Sequence, residues 1–430
     1  YTRNIKPNWN FGFNFRGLFI DKQILRQARG DRNVTSYYYD AFTTYHTKDS
    51  AYWLFANFQR MKHALLEQGG VDVEDDYQLE DFFDNGSSDT NIPQPNLTGR
   101  DNPRNTDLRT NIHLYHQYRI ANGLELYHRF DKYRQYFEFD DTRRTDDFYD
   151  YLIIEQTKGA LDRELFKTLR NELGIKGKVG GIFYSGYWAA RNYSMDYKWI
   201  DERDFNLKTE GTEYYTGGNL RMNIGKEILL KGEADLLLST NYKIKASLQS
   251  PWLQASVARY LYKPSYIQQL YLGSHDVWVN DFKNVEATQL VALATFSKPW
   301  LTLSGGGTVT TLDNYIFFIE FPNRQNQKVM PMQSSSSHFI QSPEARIKLT
   351  LWKKLSLSGR GVYTNVSENS DSAFQIPEVF LHGQLAYKDS WFNDNFDFQV
   401  GVEAHWQSAY YANGYDVPTQ QFYTQRSFMT

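Results

Sequence analysis

The 430 residues carry 47 basic and 50 acidic side chains, a net charge of −3, and basic residues scattered along the chain rather than gathered into a stripe, which argues against nucleic acid as a partner. Cysteine is absent, so disulfides, thiolate metal sites, cysteine catalysis and cysteine-linked lipid are excluded. Tyrosine (32), phenylalanine (29) and tryptophan (10) reach 17% of the chain while the mean hydropathy is −0.63, and no apolar run comes near the ~18 residues of a spanning helix.

A polar average with many aromatics is what spanning strands require: alternate residues face water, and aromatics gather at the two interfaces. An aromatic-rich soluble β-protein satisfies the same numbers, and the length allows two or three soluble domains or one large barrel. The chain opens at YTRNIKPNW, with neither methionine nor an apolar leader, so any export signal is expected to have been removed or to lie outside this sequence.

In chain order, Trp9, Phe11, Phe13, Phe15 and Phe19 alternate with Asn10, Gly12, Asn14, Arg16 and Leu18, giving a first strand over about 8 to 19. Strands over 34 to 47 and from Ala51 flank a tight Lys48-Asp49-Ser50 turn. A long polar loop, about 68 to 105, leads to a hairpin turned by Ala121-Asn122-Gly123, Asn-Gly being a strong hairpin signal. Beyond a loop at about 141 to 160, strands near 161 to 176 and 179 to 197 flank Lys176-Gly177-Lys178, and strands near 212 to 225 and 227 to 240 flank Gly225-Lys226.

The remaining strands are expected near 242 to 249, 252 to 263, 281 to 297, 299 to 319, 338 to 353 and 355 to 367. The final hairpin, from Ile376 to Tyr410, shows the pattern most clearly. Phe396, Phe398, Val400, Val402, Ala404 and Trp406 share one parity, and Asp397, Gln399, Gly401, Glu403, His405 and Gln407 the other. The count is about 17 strands, odd where bacterial single-chain barrels are even.

The connections alternate long and short along nearly the whole chain, with one tight exception near Asn241. Outer-membrane barrels have that asymmetry, and Greek-key sandwiches have no reason to keep it. The acidic stretch at 71 to 89 reads by composition as a linker and by its place in the alternation as an outer loop. The fold class expected is all-β: a large antiparallel up-and-down transmembrane barrel, formed by residues 1–430 as one domain.

PNWNFGFNFRG at 7 to 17, TTYHTKDSAYWLFANF at 43 to 58, NDFKNVEATQL at 280 to 290, IPEVFLHGQLAYKDSWF at 376 to 392 and GVEAHWQSAYYANGYDVPTQQFYTQ at 401 to 425 carry a resemblance to the Putative porin family of Bacteroidota outer membranes. It runs over nearly the full chain, and its motifs are structural. The resemblance implies an exported outer-membrane barrel of porin type, with no catalytic residue and no defined substrate. Family members look as if they continue with further strands at both ends, so the complete protein is expected to have an even total of 18 to 22 strands, with this chain incomplete at both ends.

Chemical motifs are few. His113, His116 and His128 lie around the Asn122 turn, but His113 and His116 have opposite parity and point to opposite faces, against a shared metal. Asp84 to Asp89 resembles a calcium loop without its repeating acidic ligands and closing glutamate, and reads as a solvated loop. Gly305-Gly306-Gly307 sits inside an alternating strand with no following helix, so close backbone approach accounts for it better than a phosphate cradle. G-x-S-x-G and HExxH are both missing, although a Ser, a His and an acid could still be assembled from separate strands. No catalytic, cofactor or metal residue is expected, and the chain is not expected to be an enzyme.

The inward-facing set expected from parity is Arg16, Arg109, Arg129, Arg170, Glu172, Lys231, Glu233, Asp235, Lys243, Lys245, Arg346, Lys348, Asp397 and Glu403. Both signs are mixed, as in a pore lining or in the mutually paired filling of a lumen that conducts nothing. The expected function is passive diffusion of small hydrophilic solutes; the alternative is a non-transporting accessory barrel in a larger outer-membrane assembly for secretion or barrel insertion. The partners expected are outer-membrane lipid and, under the alternative, other outer-membrane or surface proteins. Short turns are expected in the periplasm and long loops outside the cell, with 68 to 105 narrowing the entrance or meeting a partner.

Overall fold

The computed structural model describes residues 1–21, 32–67, 103–141, 159–199, 206–238, 240–320, 329–367, 373–393, 395–426 and 429. Strands dominate. The first twelve are β1 (Thr2–Lys6), β2 (Trp9–Asp21), β3 (Arg32–His46), β4 (Tyr52–Leu66), β5 (Arg104–Ala121), β6 (Leu124–Asp141), β7 (Ala160–Val179), β8 (Ile182–Trp199), β9 (Asn206–Ile224), β10 (Ile228–Leu237), β11 (Asn241–Gln249) and β12 (Leu253–Tyr262). A single turn of helix, α1 (Tyr266–Gln269), and a small hairpin of β13 (Leu270–Leu272) and β14 (Val277–Val279) follow.

Next come β15 (Val285–Lys298) and β16 (Leu301–Asp313), then a second small hairpin of β17 (Ile316–Glu320) and β18 (Val329–Gln333). The chain continues through β19 (His338–Leu351), β20 (Leu355–Tyr363), β21 (Asn365–Val366), β22 (Val379–Trp391) and β23 (Phe396–Gln407). It finishes with the short pair β24 (Gly414–Asp416) and β25 (Gln421–Tyr423).

Nineteen of these strands form one antiparallel sheet in which each pairs with its neighbours in the chain, the small hairpins being passed over, and β20 and β21 together do the work of one long strand. β1 and β23 stand at its two ends, and among the described residues they do not pair with each other. The sheet must curl. The Asn105 side chain on β5 donates to the Val417 carbonyl at 3.1 Å, ten residues beyond β23. In a flat sheet thirteen strand spacings would separate β5 from β23, about 60 Å at ~4.8 Å each. Ten extended residues span at most about 35 Å.

Alternation fixes the two faces. Phe13, Leu126, Leu173, Trp188, Leu220, Val257, Leu290 and Val402 are exposed on one face, whereas Phe139, Ala189, Asn105 and Glu172 are buried on the other. A continuous outer apolar surface of this extent is far larger than a water-soluble protein presents. Trp252, Trp300, Trp352, Trp391 and Phe392 stand exposed at or beside four of the short turns, a row of interfacial aromatics along that rim. No described helix is long and apolar enough to cross a membrane.

The sequence reading and the structure differ in places with physical causes. The polar segment Thr2–Lys6 adds a strand ahead of the first one expected, held to β2 by the pairs Thr2–Gly12, Arg3–Phe11, Asn4–Asn10 and Lys6–Trp9. The turn expected at Lys176-Gly177-Lys178 lies instead at Gly180-Gly181, both with positive φ (56° and 85°), which two adjacent glycines adopt without penalty in a two-residue hairpin loop. The strand expected over 299 to 319 breaks at Asn314, whose φ is 58°, and the remainder turns away as β17.

Candidate functional site

The cross-strand registers place all fourteen charged residues proposed for the lumen on the enclosed face. Many meet opposite charge there. Arg129 lies 2.8 Å from Glu172 and 3.0 Å from Asp131, and Arg170 reaches the same Glu172 oxygen at 2.8 Å. Two guanidiniums thus compensate a carboxylate that is almost wholly buried, with the Tyr127 hydroxyl donating to its other oxygen at 3.2 Å. Arg109 binds Asp107 at 2.6 Å.

Glu233 faces Lys245 and Asp235 faces Lys243 across β10 and β11, while Lys231 donates to Gln249 at 3.2 Å. Arg346 and Arg360 share Glu344. Asp397 accepts from the Ser390 hydroxyl, Glu403 lies between two histidines, Arg16 faces Tyr38, and Lys348 faces Thr302 and Ser358.

On the same face, toward the long-loop rim, lies a cavity of about 910 Å³. Tyr193, Tyr215, Tyr260, Tyr262 and Tyr266 line it, together with Arg191, Glu213, Asp235, Lys243, Lys263 and Asp281. Arg191 Nε donates to Glu213 Oε2 at 2.9 Å, and the Tyr215 hydroxyl donates to the same oxygen at 2.6 Å. Aromatic rings and balanced charge make this a surface for polar, uncharged solutes as readily as for ions.

Loops close over that rim around the main buried apolar cluster: Met195 and Tyr197 of β8, Tyr271 and Trp278 of the β13–β14 hairpin, Phe318, Val329 and Tyr423. Tyr271 and Trp278 stack at 4.7 Å, and Trp278 meets Phe318 edge-on at 5.9 Å. Polar ties fasten this cap to the wall. The Ser274 amide and hydroxyl donate to Asp162 of β7 at 2.8 and 2.6 Å. Tyr197 donates to the Leu270 carbonyl at 2.5 Å, Tyr271 to the Pro418 carbonyl at 3.2 Å, and the Thr424 amide to the Phe318 carbonyl at 2.8 Å.

Burial, reinforced by nearby carboxylates, pushes the Tyr271 phenol well above its ordinary pKa. Burial also raises the Glu67 carboxyl, opposed by the hydrogen bond it accepts from Asn105 at 2.6 Å.

The loop expected to narrow the entrance, 68 to 105, falls mostly outside the described residues, as does the calcium-like stretch Asp84 to Asp89. Among the described residues the cap is built from a segment read as loop, 264 to 280, from the end of the strand expected over 299 to 319, and from the stretch beyond the final hairpin; the aromatic density of 266–278 and 315–318 was the available clue. Of the histidines weighed for a metal, His113 faces inward and bonds Asp131 at 2.6 Å, whereas His116 and His128 face outward, 3.1 Å apart. The sequence reading named Glu403 as inward-facing but did not group it with His382 and His405, whose ligand atoms lie within 4.8 Å of one another and of its own. Their signal was the shared parity of 403 and 405 opposite 382 across the last hairpin.

Among solved structures the chain is similar to the ferric enterobactin receptor PfeA of Pseudomonas aeruginosa, at 11% identity and a TM-score of 0.64, over 98% of this chain and 66% of that one. It is similar also to the siderophore receptor PirA of Acinetobacter baumannii (13%, 0.59, 98% and 65%) and to the FrpB iron transporter of Neisseria meningitidis (10%, 0.60, 95% and 67%). At such identities the likeness is one of fold, and the chain spans about two thirds of the length of these receptors, 66% for PfeA. Curated protein sequences give no match. The sequence pattern of the family described as "Putative porin" matches residues 1–430. With its lipid-ready outer face, aromatic rim and polar enclosed face, the chain belongs to that family of outer-membrane β-barrel proteins.

Proposed function

We propose that the protein passes small hydrophilic solutes across the outer membrane by diffusion, without chemical conversion, along the enclosed face and through an entrance constricted by the cap. The observation that carries this reading is the enclosed face itself, lined by mutually compensated charges and opening into a tyrosine-rich cavity of about 910 Å³. Such a lining offers polar groups to a hydrated solute without a strong field of either sign. In this reading the short turns face the periplasm and the long loops, the cap among them, face the cell exterior.

The cap also supports a second reading, a non-transporting accessory barrel whose closed rim serves a larger outer-membrane assembly for secretion or barrel insertion. Single-channel recording on the full-length protein in planar bilayers separates the two. Diffusion predicts small conductance steps that grow when Trp278→Ala and Tyr423→Ala loosen the cap, since both side chains are largely buried within it. Silence from both proteins, with partners that stay bound through purification, favours the accessory barrel.

A further inference from the structure

We propose that His382, Glu403 and His405 form a binding site for a divalent transition-metal ion of the imidazole-favouring class, on the enclosed face of the last hairpin. His382 on β22 and His405 on β23 are direct cross-strand partners, and Glu403 lies two residues from His405 on the same face. His382 Nε2 is 2.9 Å and His405 Nε2 3.1 Å from the same Glu403 oxygen, Oε1. The two rings stack with centroids 4.5 Å apart and planes inclined by 21°, so both Nε2 atoms are presented side by side.

Two ligands each ~2.1 Å from a tetrahedral ion stand about 3.4 Å apart. Both Nε2 atoms stand within a few tenths of an ångström of that spacing from Glu403 Oε1, at 2.9 and 3.1 Å, and all three donors lie within 4.8 Å of one another, so rotations of the exposed side chains bring them onto one ion. Two imidazoles and one carboxylate, with the remaining position open to the aqueous side, select Zn²⁺, Cu²⁺ or Ni²⁺ over Ca²⁺ or Mg²⁺, which take oxygen-only shells. On binding, each imidazole offers its Nε2 lone pair and carries its proton on Nδ1.

The surroundings fit a cation. Arg360, the residue facing His382 from β20, is drawn aside by Glu344, with Nε to Oε1 at 2.8 Å and Nη2 to Oε2 at 3.3 Å. The second Glu403 oxygen accepts from Gln384 at 3.4 Å, a bond that orients the carboxylate without adding charge. His116 and His128, on the opposite face, meet each other at 3.1 Å, with the Asn171 side-chain oxygen 3.3 Å from His128 Nε2, and supply an internal comparison.

The test is metal binding by the full-length protein in detergent, with Zn²⁺ followed by calorimetry and Co²⁺ by its visible absorption. One Zn²⁺ per chain is expected at this site. His382→Ala, His405→Ala and Glu403→Gln should each weaken it by more than about tenfold and remove the intense tetrahedral Co²⁺ bands, while His116→Ala leaves both unchanged. Heat-modifiable migration on gels checks that each variant is folded, and His405→Gln, which keeps the size and polarity of the wall position, replaces any variant that is not. Absence of Zn²⁺ binding, or an affinity that is the same in wild type and in all three triad variants, or one lost equally with His116→Ala, overturns the site.

Discussion

Val257 tests the face assignment at the level of one side chain. It is exposed on the outer face of β12, between Ala246 on β11 and Leu290 on β15, in an apolar groove with Leu220 and Leu248. An arginine on a lipid face near mid-membrane costs about 2–4 kcal/mol, so Val257→Arg should lower stability by that amount in urea unfolding from phospholipid vesicles. Gln254→Arg, three residues earlier and on the enclosed face, should cost little. A large cost for Gln254→Arg and a small one for Val257→Arg would mean that the two faces had been exchanged. Glu67 tests the cap from its edge. Because burial raises its folded pKa, the folded protein holds that proton more tightly than the unfolded chain does. The group costs nothing below the ordinary carboxylate range, and its cost grows as pH rises from that range through the folded pKa. Thermal stability of the cap should therefore fall on going from pH 4 toward 8, and Glu67→Gln should flatten that fall.

Turns and strands differ in how far the sequence discloses them. Parity identified most of the wall strands because apolar residues predominate on one face of each, and the registers set the fourteen charges on the other face. Thr2–Lys6 escaped it because TRNIK carries almost no apolar parity, and its membership comes from pairing with β2. Lys176-Gly177-Lys178 misled because one glycine between lysines reads as a turn. Gly177 instead sits in the ladder, where an added Cβ would fall 1.7 Å from the Gly123 carbonyl oxygen. Small connections such as Thr47 to Ala51 are self-contained, with Asp49 accepting from the Thr47 hydroxyl at 2.5 Å and from the Ala51 amide at 3.1 Å, bonds that hold its carboxyl below the usual range. Surface proteolysis on intact cells should cut within 68 to 105 and 141 to 160 and spare the short turns at 121–123, 180–181 and 225–226. Cleavage within 264 to 280 should be slow in the wild type and fast in Trp278→Ala, whose lost ring removes about 3–5 kcal/mol of local packing. The reverse pattern would invert the topology.

For the molecule as a whole, composition and the asymmetry of connections pointed to an outer-membrane barrel, and the family match and the curled sheet agree. The histidine triad lies on one hairpin whose parity was legible, and what was missing was the register that sets His382 opposite His405. The cap stayed hidden because it joins residues far apart in the chain: Asp162 with Ser274, and Phe318 with Thr424. Neither periodicity nor turn chemistry records such distant pairings. They also set an order of events. Every wall strand docks on a neighbour close in the chain, a local and rapid step, whereas the cap closes loops of a hundred residues or more, with the Asn105 to Val417 tie spanning 312. Refolding into vesicles should therefore show two phases, an early one in wall strand content and a late one in the quenching of Trp278. A nascent chain released between them would be inserted in the membrane with one rim still uncovered, so docking of the cap is the last step in its assembly.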